Sequence, residues 1–331
     1  MTARNLVRRA ARAAAALIVV AAAPAALASD HFLTIGGGDA PTHNQVSLEK
    51  NVLYLQRVLD DIGAGQSHHD IYFSDGSDPG RDLQCHGAGQ VPRANRLLAR
   101  VLTGNETALA VEYRDQAIAH VAGPSNRKSL GDWFDKTGKN LPDGDRLIIY
   151  FTGHGGGGQR NAPRNTNLTM WREQSMPVKE FVGLLDKLPP KVQVVIVMVQ
   201  CHSGGFADVI FKNGDYAANK PDALAAAPRV GFFATVAERP AAGCTPDINE
   251  ENYREYSTYF WEAISGKTRL GSSVRKPDYD GDGKVSFAEA HAYVKLTSTT
   301  IDIPVCTSDN FLRAFSRTGA VWPRAGGAAG G

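Results

Sequence analysis

What the chain has little of narrows its chemistry first. Lys and Arg number 36 against 34 Asp and Glu, a net charge of +2 over 331 residues. No basic block interleaved with aromatics occurs, so nucleic acid is not an expected partner, nor is any other polyanion. Past residue 28 no stretch approaches about 18 uninterrupted apolar residues, so no membrane association is expected once a leader is removed. No internal repeat and no clear linker can be found, and one domain is the simpler reading. Cysteine is scarce: Cys85, Cys201, Cys244 and Cys306 are the whole set. If one stays a free thiol in an oxidising compartment, the other three cannot all pair within the chain. Cys244 with Cys306 is the expected bridge, since both lie in loop-like, Pro-containing sequence near the C-terminal end.

What is present begins with a leader. Arg4, Arg8, Arg9 and Arg12 precede an apolar run over residues 13–23, and Ala26-Leu27-Ala28 supplies the small residues that a signal peptidase needs. Residues 1–28 therefore read as a signal peptide, and the protein is expected to be secreted or periplasmic. The apolar run is short for a membrane span and is broken by Pro24. Arg8-Arg9 is a twin-arginine pair, but the apolar residues normally found directly after such a pair are lacking. Asn105-Glu106-Thr107 and Asn167-Leu168-Thr169 match glycan acceptors, a tripeptide common by chance. Residues 29–322 carry the folded domain, and the tail over 323–331, nearly all Gly and Ala, is expected to be disordered.

Within the domain, apolar runs alternate with amphipathic stretches, the pattern of an α/β fold with a mainly parallel sheet flanked by helices on both faces. Strands are predicted over residues 31–35, 70–73, 146–152, 192–199 and 230–236, and helices over 47–61, 92–102, 130–134, 177–188 and 256–264. Leu97, Leu98, Val101 and Leu102 form the expected buried side of the second helix. Pro189-Pro190 ends the fourth helix, completing a strand–helix–strand crossover between 146–152 and 192–199. Residues 239–254 read as a loop insertion.

In open parallel sheets reactive groups gather at the carboxyl ends of strands. His154 follows the strand over 146–152, and Cys201 follows that over 192–199. A thiol needs a base to give thiolate at neutral pH, and imidazole titrates in the right range, so the pair suits acyl transfer. The amides of Gly155 and Cys201 are candidates for an oxyanion hole. Cys85-His86-Gly87 is the internal competitor. It is expected to follow a polar loop rather than a strand, which would fix its position poorly. His202 would point away from Cys201 on an extended backbone and reads as structural.

Phe151-Thr152-Gly153-His154-Gly155 and Gln200-Cys201-His202-Ser203-Gly204 resemble the histidine and cysteine motifs of the caspase, metacaspase and legumain clan of cysteine peptidases. The Cys-His-Ser-Gly run is closest to metacaspases. Phe73-Ser74-Asp75-Gly76 and Asp78-Pro79-Gly80 look distantly like a loop of legumains, and the likeness in order and spacing runs over residues 32–264. The resemblance implies a caspase-like three-layer α/β/α fold, a dyad of His154 and Cys201, and hydrolysis of peptide bonds in a protein or peptide substrate through a thioester. Val199 and Gln200 stand where that clan contacts substrate. Val199 replaces the polar or acidic residue that usually reads the substrate side chain, so the clan's specificities do not carry over.

A second constellation lies in residues 278–289. Asp278, Asp280, Asp282, Gly283, Ser286 and Glu289 occupy positions 1, 3, 5, 6, 9 and 12 of an EF-hand-type calcium loop, with the Lys284 carbonyl at 7. A helix over 288–296 can leave the loop, but residues 271–277 cannot form one that enters it, so the site is one-sided. The sequence thus predicts an exported, calcium-binding cysteine endopeptidase. A catalytically silent calcium module that binds a protein partner is the competing expectation, and a transpeptidase, in which an amine resolves the acyl-enzyme, is a third.

Overall fold

The continuous apolar runs form strands of one sheet, and the amphipathic stretches lie over its two faces. The structure, a computed structural model, describes residues 28–86, 92–104, 106, 110–216 and 223–315. The expected leader, apart from Ala28, and the Gly/Ala tail lie outside these residues, as do Gly87 and two of the three residues of the first glycan tripeptide. In chain order the elements are β1 (Asp30–Gly37), α1 (Val46–Asp61), β2 (His68–Phe73), β3 (Leu83–His86), α2 (Arg93–Thr103), β4 (Val111–Arg114) and β5 (Val121–Gly123). There follow α3 (Arg127–Lys136), β6 (Arg146–Gly153), β7 (Gly155–Gly156), β8 (Asn167–Met170), β9 (Gln174–Pro177), α4 (Val178–Leu185) and β10 (Gln193–Met198). The C-terminal part holds β11 (Arg229–Phe233), α5 (Tyr256–Ser265), α6 (Phe287–Thr297), β12 (Val305–Cys306) and α7 (Thr307–Phe315).

The central sheet has seven strands in the order β12-β11-β10-β6-β1-β2-β5. Its members pair in parallel except β12, which runs antiparallel to β11 at one edge. Alternation along the strands divides the core between two faces. On one, Leu147, Ile149, Phe151, Val194, Ile196 and Met198 pack against Trp133 and Phe134 of α3, Phe181 and Leu185 of α4, and Phe206. On the other, Ile148, Tyr150, Val195, Val197 and Val199 meet Tyr54 and Leu55 of α1, Tyr256, Phe260 and Trp261 of α5, and Val294 of α6. The fold is a three-layer α/β/α sandwich around a mostly parallel sheet, as the pattern of strands and helices led one to expect. Beside it stand a two-stranded ladder, β3 with β4, and a three-stranded one, β7-β8-β9.

Three local expectations fail. The apolar stripe of α2 is not buried: Leu97 is 50% exposed and Val101 80%, and Ala99 is the residue of that helix that packs inside. Periodicity says which residues share a face but not whether a surface faces them, and α2 joins the outlying strands β3 and β4 rather than covering the central sheet. Cys85 and His86 are not in a loop. They lie on β3, where Cys85 is buried in a cluster with Val46, Val52 and Leu83. Cys244 and Cys306 form no bridge, and all four cysteines are free thiols. Cys244 packs with the cluster around α1 and β3, whereas Cys306 packs with the cluster around α5 and α6.

Candidate active site

β6 and β10 are hydrogen-bonded neighbours, with Tyr150 opposite Val197 and Phe151 opposite Met198. The paired register ends there: β6 runs on to Gly153, with His154 directly after it, whereas β10 ends at Met198 and Cys201 lies three residues further on, in a turn. The backbones also touch: a Cβ on Gly155 would lie 2.5 Å from the Cys201 carbonyl oxygen, so only glycine permits this approach.

The imidazole is oriented by the loop that follows β1. Its Nε2 lies 2.9 Å from the backbone oxygen of His43 and 2.9 Å from Gln45 Oε1. A carbonyl oxygen only accepts, so Nε2 carries the proton and Nδ1 is the basic nitrogen, without a hydrogen-bond partner among the described residues. The His43 carbonyl is itself fixed, because it lies where a Cβ on Gly38 would overlap it, and Asn44 Oδ1 accepts the Gly38 amide at 3.1 Å. Asp39 pairs with the His43 ring at 2.8 Å, and that ring stands 5.9 Å from the His154 ring. An open depression of about 450 Å³, lined by Asp39, Ala40, Pro41, Trp171, Arg172 and Glu173, begins at this loop. Asp39, His43 and Gln45 escaped the sequence reading. They follow Gly36-Gly37-Gly38 at the carboxyl end of a strand next to β6, and the strand-end rule that selected His154 would have selected them too.

Cys201 sits in the turn after β10. Its sulfur accepts the Ala241 amide at 3.3 Å and lies 3.9 Å from the Ala241 oxygen. No hydrogen bond joins Sγ to His154 in this state; the sulfur is engaged by the 239–254 loop instead. The Cys201 amide has no hydrogen-bond acceptor among the described residues, and the Gly155 amide turns away from β8. In an antiparallel ladder hydrogen-bonded pairs alternate, and the 2.9 Å bond from Thr169 N to His154 O makes that pair a bonded one. Gly155, opposite Leu168, then falls at a non-bonded position. Neither amide has a hydrogen-bond acceptor among the described residues. His202 takes a left-handed backbone, φ 60°, not the extended one expected, and its Nδ1 is 2.8 Å from the Ala237 oxygen. It stays structural because that bond anchors the turn to the loop after β11. Val199 is 7% exposed inside the core cluster shared with α1 and α5. Gln200 is also buried, with Nε2 3.7 Å from the Met198 sulfur and Oε1 unpaired. Neither offers an open wall to a ligand.

Burial pushes the His154 imidazole below its ordinary value, against the opposing pull of the His43 carbonyl and the Asp39 charge. A lowered value keeps Nδ1 unprotonated, and so able to take a proton, further into acid. The acid limb of kcat/KM is therefore expected below the ordinary imidazole value of about 6.5. Asp39→Asn removes a raising influence and is expected to move that limb lower still. A pH profile of peptide hydrolysis checks both, and a limb above neutrality would contradict them.

The acidic loop over residues 278–289 occupies the stretch between α5 and α6, with no helix entering it among the described residues. Carboxylate oxygens of Asp278, Asp280 and Asp282 lie within 4.8 Å of one another. Asp278 accepts the amides of Gly281 (2.7 Å) and Gly283 (3.0 Å), Asp280 accepts that of Asp282, and Asp282 that of Lys284. Gly283, at φ +83°, makes the sharp turn. Glu289 reaches back into the loop to accept the amides of Tyr279 (2.6 Å) and Ser286 (2.8 Å), which hold its carboxyl down at about 2. The donor set is all oxygen, which fits a hard cation such as Ca²⁺.

No family model and no curated protein sequence matches the chain. Among solved structures it is similar to the crystal structure of protein GSU0716 from Geobacter sulfurreducens, at 12% identity and a TM-score of 0.45, over 84% of this chain and 92% of that one.

Proposed function

We propose that the protein is an exported cysteine endopeptidase, of the caspase, metacaspase and legumain kind, that hydrolyses peptide bonds through His154 and Cys201. The observation that carries this reading is the pair of 2.9 Å contacts from His154 Nε2 to the His43 carbonyl oxygen and Gln45 Oε1. With the proton held on Nε2 by the His43 carbonyl, Nδ1 is left as a base beside the strand tip that bears the thiol. Nδ1 takes the thiol proton, and the sulfur attacks the peptide carbonyl. Negative charge on that oxygen is met by the amides of Gly155 and Cys201. As the C–N bond breaks, the imidazolium returns its proton to the leaving amine, and a thioester remains on Cys201. Water, deprotonated by the same imidazole, then releases the acid and restores the thiol. Digestion of a peptide library in ¹⁸O-labelled water tests the reaction class. Hydrolysis puts one labelled oxygen in each new carboxyl group, whereas joined fragments without label would mean transpeptidation, and intact peptides would reject the enzyme. One observation favours a second reading, a silent calcium module that binds a protein partner: the sulfur is bound by Ala241 rather than by His154.

For calcium, the ligands would be Asp278, Asp280, Asp282, Ser286, Glu289 and the Lys284 carbonyl, and the ion would neutralise three crowded carboxylates. It would tie the segment before α6 into a fixed shape and take no part in the bond changes. At a calcium concentration about 100 times Kd, native protein is expected to gain about 2.7 kcal/mol over the calcium-free form. Glu289→Gln preserves the capping box at the start of α6 but removes a charged ligand, so most of that gain should vanish. Denaturant unfolding with calcium and with chelator measures it, and an equal gain in the variant would exclude the loop as the site.

A further inference from the structure

A second, chemically different cluster lies at the far edge of the central sheet. Donor atoms of His291 on α6, Cys306 on β12 and Asp309 in the first turn of α7 all fall within 4.8 Å of one another. We propose that these three residues form a transition-metal site for Zn²⁺ or a similar thiophilic divalent ion, separate from the all-oxygen loop. Tetrahedral bonds of about 2.0–2.3 Å set ligand atoms roughly 3.3–3.6 Å apart, so side-chain rotation of about an ångström would complete the site.

The independent sign of a ligand is the state of His291. The residue is 6% exposed, and its Nε2 has no hydrogen-bond partner among the described residues. Its Nδ1 lies 2.7 Å from the hydroxyl of Tyr256, which is fully buried. If Nδ1–H donates to that hydroxyl, Nε2 presents a lone pair with no donor to meet it among the described residues. This is the arrangement of a metal-bound histidine, whose second nitrogen is oriented by an outer partner. A buried ring nitrogen left without a partner otherwise needs explaining.

The other two donors are also prepared. Cys306 is a free thiol in a chain expected to be exported, and its sulfur favours zinc over calcium or magnesium. Asp309 Oδ2 accepts the Cys306 amide at 2.9 Å, which orients the carboxylate and leaves Oδ1 to offer. Three protein ligands leave one position for water. A metal here joins α6, β12 and α7. Just before β12, Asp302 Oδ1 accepts the Ala242 amide at 2.7 Å, next to the residue that bonds the Cys201 sulfur. The ion would thereby brace the segment on which the 239–254 loop rests.

Cobalt(II) is the probe, added to the mature full chain with saturating calcium so that the acidic loop is occupied. One equivalent is expected to produce a thiolate-to-cobalt charge-transfer band and the intense visible bands of four-coordinate cobalt, both displaced by Zn²⁺. Cys306→Ser is expected to abolish the charge-transfer band, and Asp309→Asn to weaken cobalt binding at least tenfold. Cys201→Ala should leave the spectrum unchanged. Absence of the band from folded native protein, or its survival in Cys306→Ser, would overturn the site. Should Cys306→Ser fail to fold, Asp309→Asn decides alone: unchanged cobalt affinity would overturn the proposal.

Discussion

Cys201→Ala is expected to lower kcat/KM for peptide hydrolysis by at least about 10³-fold, roughly 4 kcal/mol of transition-state stabilisation. The expectation follows from the division of labour at the two strand tips. The amides of Gly155 and Cys201 belong to the backbone and persist in the variant, so weak catalysis by charge stabilisation remains, but no covalent intermediate can form. Stability should hardly change, because the sulfur's contacts are with Ala241 in a partly exposed turn. His154→Ala should cost a similar factor, and the double variant little more than either alone, since nucleophile and base act as a unit. Equal cleavage by native and Cys201→Ala protein would end the nucleophile assignment. Additive losses would separate the two residues.

Arg269→Met is expected to destabilise the fold by about 3–5 kcal/mol, the range for breaking one half of a buried ion pair. The guanidinium is 6% exposed and lies 3.2 Å from Glu255, itself 4% exposed. It also donates to Asn51 Oδ1 at 2.6 Å and to Thr258, and stacks over the Tyr54 ring at 4.6 Å. Burial raises the Glu255 carboxyl, and Arg269 is the principal influence pulling it back. Without the cation, a carboxylate is stranded or must take up a proton. The same network reaches the candidate active site from two sides. Asn51 donates to Thr152 Oγ1 at 3.0 Å, two residues before His154, and Gly243 of the loop that binds Cys201 packs against the Glu255 carboxylate. Activity should therefore fall below what the loss of folded protein explains. Denaturant unfolding gives the first quantity. A loss under about 1 kcal/mol would show that the pair matters little, and partial recovery in Arg269→Met with Glu255→Gln would identify the stranded charge as the cause.

Residues buried on both sides of the sheet were the most legible in the sequence. β6 and β10 announce themselves by unbroken apolar runs, because helices cover both of their faces, and their ends bring His154 and Cys201 to one edge. The acidic loop was equally plain, since Asp278, Asp280 and Asp282 come from one short stretch with Gly283 at its turn. Legibility ended where a property depends on what lies opposite. The stripe on α2 looks like any core helix, yet Leu97, Leu98, Val101 and Leu102 stay exposed among the described residues. Cys85 on β3 read as a loop residue because the four-residue strand is too short to show a period. The His43 carbonyl that orients His154 is a backbone atom, so no side chain marks it. The cluster of His291, Cys306 and Asp309 joins α6 to the segment after it only through the edge strand β12, a pairing no local pattern encodes.

Which thiol reacts, and whether His154 governs it, can be read in one labelling measurement. Native protein is treated with a mild alkylating agent at neutral pH, and the rate at each cysteine is followed by mass spectrometry. Cys201 is expected to react much faster than Cys85, Cys244 and Cys306, and to fall to the rate of an ordinary thiol in His154→Ala. A Cys201 rate unchanged by that substitution, or no faster than that of a free cysteine, would contradict the pairing of sulfur with imidazole.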